Sequence, residues 1–302
     1  MKRKFSFISL LLILPPLLWA GNSVLARGVA ELIPPVTLAF WRWVIALAIL
    51  LPFTWKQVRK DWPNIITDWK IIFFLGFLGI ASFNTLLYTA AHTTTALNIA
   101  LTQSVMPVVI IMISFVLFNE RVSQLQIFAI ALCTLGASYI ITHGDWHRLM
   151  QLKFVAGDII MLLAVTLYGL YTVLLRKRPN IHPMSFLTVT FAVGVILLLP
   201  LYLWEMQKSP PLVLSQTIIL SLLYVAFFPS ILAYLCWNRG IQEVGANQTG
   251  LYVNLVPLFA SLLAILFLGE RFQDYHLIGI ILIGSGLILF NLPMSRTGRF
   301  KK

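Results

Sequence analysis

The chain alternates long apolar runs with short polar or proline-bearing breaks. The runs fall at approximately 5–27, 35–55, 70–91, 95–118, 123–142, 154–175, 183–204, 216–238, 246–268 and 273–292. Each is near the ~20 residues that a helix needs to cross a bilayer. Within a run the apolar residues are continuous and do not alternate. Helices are therefore expected rather than barrel strands, since a lipid-embedded backbone must satisfy its own hydrogen bonds. The pattern predicts an all-α integral membrane protein with ten transmembrane helices.

Two of the runs are versions of each other. Ala96 to Arg121 reads ALNIALTQSVMPVVIIMISFVLFNER, and Ala246 to Arg271 reads ANQTGLYVNLVPLFASLLAILFLGER. Aligned without a gap, Pro107 lands on Pro257, Glu120 on Glu270 and Arg121 on Arg271. Trp19 to Arg27 similarly resembles Tyr168 to Arg176. The start of the chain, Met1-Lys2-Arg3-Lys4 followed by an apolar run, has the look of a signal peptide. Its likeness to the sixth run argues instead for a retained span. Internal duplication is thus expected, with residues 1–142 as a first five-helix copy and 154–292 as a second. Residues 143–153 form a linking loop and 293–302 a basic tail.

Composition and charge sharpen this picture. Charged residues are 11% of the chain and hydrophobic residues 59%, against about a quarter charged in a soluble domain. The net charge of +12 would point to nucleic acid in a soluble protein. Here the basic residues sit at helix ends, with no basic patch interleaved with exposed aromatics, so no nucleic-acid partner is expected. Lys56, Arg59, Lys60, Lys70, Arg121, Arg176, Lys177, Arg178, Arg239 and the basic N- and C-terminal segments fall on one side. Arg27, Arg148, Lys153, Lys208 and Arg271 fall on the other. The bias puts both termini in the cytoplasm. Five spans per copy is an odd number, so the second copy enters the membrane from the opposite side. Inverted repeats with a site between them are an architecture of secondary transporters.

The candidate chemistry lies in polar residues inside the spans. Asn84, Tyr88 and His92 follow a helical i, i+4, i+8 spacing in the third run, as do Ser230, Tyr234 and Asn238 in the eighth. Asn84 aligns with Tyr234 and Tyr88 with Asn238, so each half supplies one Asn and one Tyr at exchanged positions. Trp19 and Asn22 align with Tyr168 and Tyr171, and Thr102 aligns with Tyr252. Amide, hydroxyl and aromatic groups lining one cavity would suit a small amphipathic solute. The bland reading is that these residues are glue between helices or anchors at the membrane interface. Pro107 and Pro257 free backbone groups inside their spans, as a hinge or as a static kink. Arg42 is the strong charge within the membrane, and Asp158 is its candidate partner. Glu120 and Glu270 sit at span ends, as caps or gate contacts. Cys133 and Cys236 lie in apolar runs and form neither a disulfide framework nor a metal spacing. No cofactor or catalytic motif is present, so no enzyme is expected. No carboxylate sits at a clear mid-membrane position, and proton coupling is not supported.

Trp19-Ala20-Gly21-Asn22, Arg42 within Phe40-Trp41-Arg42-Trp43, Pro107 with Glu120, and Pro257 with Gly269-Glu270-Arg271 resemble the EamA family of the drug/metabolite transporter superfamily. The resemblance covers essentially the whole chain. It implies a multi-pass inner-membrane protein that exports amino acids or similar small metabolites by alternating access. The first, third, fourth, sixth, eighth and ninth helices would build the central cavity. The aromatic lining favours aromatic or neutral amino acids. Transport of nucleotide sugars or drugs is the alternative, and a membrane-embedded enzyme or sensor a more distant one. Oligomeric state stays open.

Overall fold

The computed structural model describes residues 2–29, 31–209, 212, 214–268 and 271–292. Glu270, Gly269 and the tail 293–302 lie outside the described residues. The long helices are α1 (Lys2–Gly28), α2 (Pro35–Thr67), α3 (Trp69–Ala91), α4 (Ala96–Phe118), α5 (Gln124–Ile141), α6 (Ala156–Lys177), α7 (Pro183–Met206), α8 (Gln216–Val244), α9 (Ala246–Phe267) and α10 (Asp274–Phe290). Among the described residues, α1 to α9 are long and apolar enough to cross a membrane, and α10 is a shorter apolar helix. Large apolar side chains stay exposed on the outside, among them Phe53, Val116, Phe154, Leu266 and Phe267. Such a surface belongs against lipid.

Two helices run beyond their apolar stretches. α2 continues to Thr67 and α8 to Val244. Apolar runs mark where hydrocarbon ends, whereas a helix ends where its backbone bonds end, so charged residues such as Lys56 to Lys60 continue the helix into water. At the other terminus of α2, Glu205 of α7 accepts hydrogen bonds from Val36 N (3.1 Å), Thr37 N (2.6 Å) and Thr37 Oγ1 (2.8 Å). An anion there satisfies orphan amides and meets the positive end of the helix dipole.

α3 and α8 each contain a π-helical segment, Gly76–Ser82 and Phe227–Leu232. In each, a serine hydroxyl bonds the carbonyl five residues earlier: Ser82 to Phe77 at 2.7 Å and Ser230 to Val225 at 2.6 Å. The widened turn offers carbonyls to neighbours instead of to the helix. α4 and α9 are broken near their prolines. α4 restarts at Met106 with Pro107 in its first turn, and α9 tightens at Tyr252–Asn254 before restarting at Leu255. The prolines therefore open fresh helical segments, where the missing amide costs nothing.

α5 and α10 pack through small residues. A Cβ on Gly136 would lie 3.1 Å from the Gly279 carbonyl, and one on Gly286 would lie 2.6 Å from the Ala129 carbonyl. Backbones this close are a feature of tightly packed membrane helices. The larger apolar core holds Trp43, Tyr168, Tyr171, Phe191, Tyr234 and Trp237. A smaller one holds Leu12, Ile130, Cys133, Leu251, Tyr252 and Ile283.

Candidate functional site

The site is built around Arg42, which is fully buried on α2. Its Nε donates to Ser230 Oγ (2.5 Å), and its Nη2 donates to the Pro229 carbonyl (3.1 Å). Its Nη1 donates to Asn84 Oδ1 (2.7 Å), Tyr88 Oη (2.8 Å) and Asn22 Oδ1 (3.2 Å). The guanidinium also lies 4.8 Å from the ring centre of Trp43. One side chain thus clamps α1, α2, α3 and α8. Every hydrogen-bond acceptor is neutral, and among the described residues no carboxylate forms an ion pair with Arg42.

This corrects the expected pairing with Asp158. That carboxylate accepts from Thr94 Oγ1, from Asn98 Nδ2 (3.0 Å) and from Val155 N (2.9 Å). It sits in the first turn of α6, where a carboxylate that reaches back to the preceding amide closes the helix start.

Asn22 and Asn84 line a small pocket together with Trp19, Ser23, Phe83, Gln103, Tyr168 and Tyr234. Its free space, about 30 Å³, holds about one water. It adjoins a wider vestibule of about 650 Å³ walled by Tyr88, Thr94, Thr95, Ser104 and Pro257, with exposed Glu31 and Leu32 at its mouth. The two share Ser23, Leu87, Gln103, Val253 and Val256. A vestibule of this size matches small-molecule sites.

Aromatic rings form the floor. Trp19 packs edge-on to Tyr168 with centroids 5.8 Å apart, and lies 5.0 Å from Trp237. Tyr234 contacts Trp43, Tyr168, Tyr171 and Phe191 at 5.5 to 6.2 Å. The carbonyls released by the π-segments meet this floor. Tyr234 Oη donates to Gly79 O at 2.6 Å, while Trp19 Nε1 joins Arg42 in donating to Pro229 O.

Below the floor, at the end of the bundle that carries Arg176 and Arg239, Tyr171 Oη donates to Asn238 Oδ1 at 3.0 Å. Tyr88 Oη donates to Asn22 Oδ1 at the same distance on the vestibule side. The two pairs have the same chemistry with amide and phenol exchanged between first-type and third-type helices. Tyr171 and Asn238 are therefore not cavity walls; they tie α6 to α8 beneath it. Tyr252 does not reach the cavity either and joins the smaller core. The tight turn at Tyr252–Asn254 rotates successive side chains by about 120° rather than about 100°, and Val253 takes the wall position.

The same end carries an ion pair. Glu120 accepts from Arg176 at 2.8 Å and from Asn247 Nδ2 at 3.4 Å, and Arg176 stacks on Phe118 at 4.3 Å. The chain reaches Glu120 through Asn119 in the left-handed region (φ 53°), a conformation that Asn adopts readily at a helix end. The pair is partly exposed, so its direct worth is about 0–1 kcal/mol. Glu120→Gln is accordingly expected to change thermal stability little. A bias at the top of that range still shifts a two-state equilibrium about five-fold, so the transport rate is expected to change by up to a comparable factor. An unchanged rate would show that the pair is only a surface contact.

Sequence reasoning placed Ser230 on one face with Tyr234 and Asn238 but gave it no role, and it missed the Pro229 and Gly79 carbonyls as site groups. Backbone carbonyls carry no side-chain mark, so nothing in the sequence singles out Gly79 or Pro229 as acceptors. Phe83, Gln103 and Trp237 carried no mark in the sequence either. Among the described residues no cluster of His, Cys, Asp or Glu could hold a metal.

A bundle of apolar helices around a polar and aromatic cavity defines a membrane transporter of small solutes, and the comparisons agree. The profile of the EamA-like transporter family matches residues 6–142 and again 155–292, and the chain belongs to this family. It is 29% identical to the uncharacterized transporter YyaM of Bacillus subtilis over 275 residues, 87% of each chain. It is 27% identical to an uncharacterized transporter of Archaeoglobus fulgidus, over 93% of this chain and 96% of the other. Protein PecM of Dickeya dadantii is 29% identical over 76% of each chain. A solved crystal structure shares the fold with a TM-score of 0.75 at 17% identity, covering 95% of this chain and 97% of the other.

Proposed function

We propose that the protein exports amino acids, aromatic or neutral ones foremost, or similar small metabolites across the inner membrane by alternating access. The carrying observation is the cavity. It is open at one end through the vestibule and shut at the other by the aromatic floor and the Glu120–Arg176 pair. Two profile matches of similar length support a reading as two five-helix copies, 1–142 and 154–292, joined by the loop 143–153. The equal spacing of the two π-segments and of the exchanged amide–phenol pairs supports it further. With ten spans, inverted copies and cytoplasmic termini, the closed end faces the cytoplasm and the vestibule faces out. Nucleotide sugars fit less well, because no Lys or Arg among the described residues lines the pocket or the vestibule, Arg42 being buried behind Asn84, and Glu31 stands at the mouth.

The test is efflux from proteoliposomes loaded with a panel of labelled amino acids, with and without a pH gradient. Efflux of phenylalanine or tryptophan above empty liposomes is expected. No efflux of any amino acid by folded protein would overturn the amino-acid reading.

A further inference from the structure

Burying a guanidinium among neutral acceptors leaves a net positive charge inside a low-dielectric bundle. Such a charge is costly and is normally paired. Arg42 has five hydrogen bonds and, among the described residues, no counter-ion. Its nearest neighbours toward the cavity, Asn22 and Asn84, present their oxygens to it, as they must, because a guanidinium only donates. That fixes the Asn84 amide with Nδ2 turned away from Arg42. Asn84 is 2% exposed and lines the small pocket, and its Nδ2 has no hydrogen bond. Of the phenols around it, Tyr88 donates to Asn22 and Tyr234 to Gly79, while Tyr168 Oη in the same pocket wall has, like Asn84 Nδ2, no hydrogen bond. The pocket therefore has two unpartnered donors in its wall, the Asn84 amide, polarised by a cation directly behind it, and the Tyr168 phenol, with aromatic rings beside them.

We propose that this is a carboxylate subsite. The transported solute places a carboxylate against Asn84 Nδ2 in the field of Arg42, and its apolar body against Trp19, Phe83, Tyr168 and Tyr234, which requires the small pocket to widen beyond the one-water space it has here. Arg42 is the residue that makes the cavity selective for that charge, acting through the amide. One buried cation matches one negative charge, which favours a monocarboxylate over a phosphate. The proposal rests on the transporter reading above but is narrower in chemistry and independent of the solute's amino group.

The experiment uses the purified full chain in nanodiscs and equilibrium binding of three probes of one shape. Phenylalanine carries both charges, 3-phenylpropanoate only the carboxylate and phenethylamine only the ammonium. The first two are expected to bind, and the amine to bind about 10- to 100-fold more weakly, as for loss of a hydrogen bond to a charged group. Asn84→Asp keeps the volume and sets a fixed carboxylate against Arg42 Nη1. It is expected to weaken 3-phenylpropanoate by a similar factor while the melting temperature holds or rises. Arg42→Gln removes the whole clamp and is the harsher variant; Asn84→Asp keeps the test readable if Arg42→Gln does not fold.

Binding of 3-phenylpropanoate without phenylalanine would sink the amino-acid reading and leave the subsite standing. Equal binding of the amine and the acid overturns the proposal. So does full carboxylate binding by folded Asn84→Asp, or failure of every carboxylate in a series from acetate to indole-3-propionate.

Discussion

Arg42→Met is expected to destabilise the protein by at least about 3 kcal/mol and to abolish transport. Two opposing effects decide the sign. Removing the charge relieves a membrane burial cost of about 2.5–3.5 kcal/mol. Against that, hydrogen bonds to a charged donor contribute about 1.5–3 kcal/mol each, and Arg42 makes five, to residues on α1, α3 and α8. Some acceptors keep a second donor: Asn22 keeps Tyr88, and Pro229 O keeps Trp19. Asn84 Oδ1 has no other donor and is left buried and bare. The lost bonds outweigh the relief even after this discount. Equilibrium unfolding of the purified variant, set beside liposome efflux, checks both parts. A variant as stable as the parent would mean that the clamp does not hold the four helices together.

The second large effect is expected at Tyr234. Tyr234→Ala should cost about 3–5 kcal/mol, the range for emptying a buried aromatic site, because five rings and the Gly79 carbonyl lean on it. Tyr234→Phe keeps the rings packed and strips only the donor to Gly79 O. It should cost about 1–3 kcal/mol, the penalty for an unsatisfied buried carbonyl. The two variants separate packing from hydrogen bonding at the cavity floor. Thermal unfolding of both in one detergent measures it. Equal costs would mean that the hydroxyl, and not the ring, carries the stability.

Tyr234 and Asn84 also show how far the sequence could be read. Their helical spacing and their match at a 150-residue offset marked them before any coordinate was known, and both line the pocket. Tyr88 and Trp19 follow the same logic. Tyr171 and Asn238 carried an equally good pattern, yet they bond each other below the floor. Periodicity says which side chains share a face of one helix, not how deep along the bundle axis a cavity extends. Tyr252 fails for a local reason, since a tight turn within α9 breaks the 3.6-residue period that put it on the cavity face.

The partner of Arg42 was beyond the reach of pattern. A search for charge finds Asp158 because opposite charges in an apolar chain are few. The structure instead surrounds Arg42 with amides, hydroxyls and a carbonyl, while Asp158 caps its own helix. The Gly79 and Pro229 carbonyls belong to every residue type alike, so no side-chain motif announces them. Only the π-segments turn them outward.

The sequence by itself determined the helices, their membrane environment, the family and the faces rich in Asn, Tyr and Trp. Those properties are local: bilayer thickness sets run length, and helical period sets the faces. Only the tertiary structure decided which polar groups meet, where the cavity ends and that Arg42 is held by neutral acceptors. These depend on contacts between helices as far apart as Arg42 and Ser230, 188 residues along the chain, whose depth and rotation are set by packing.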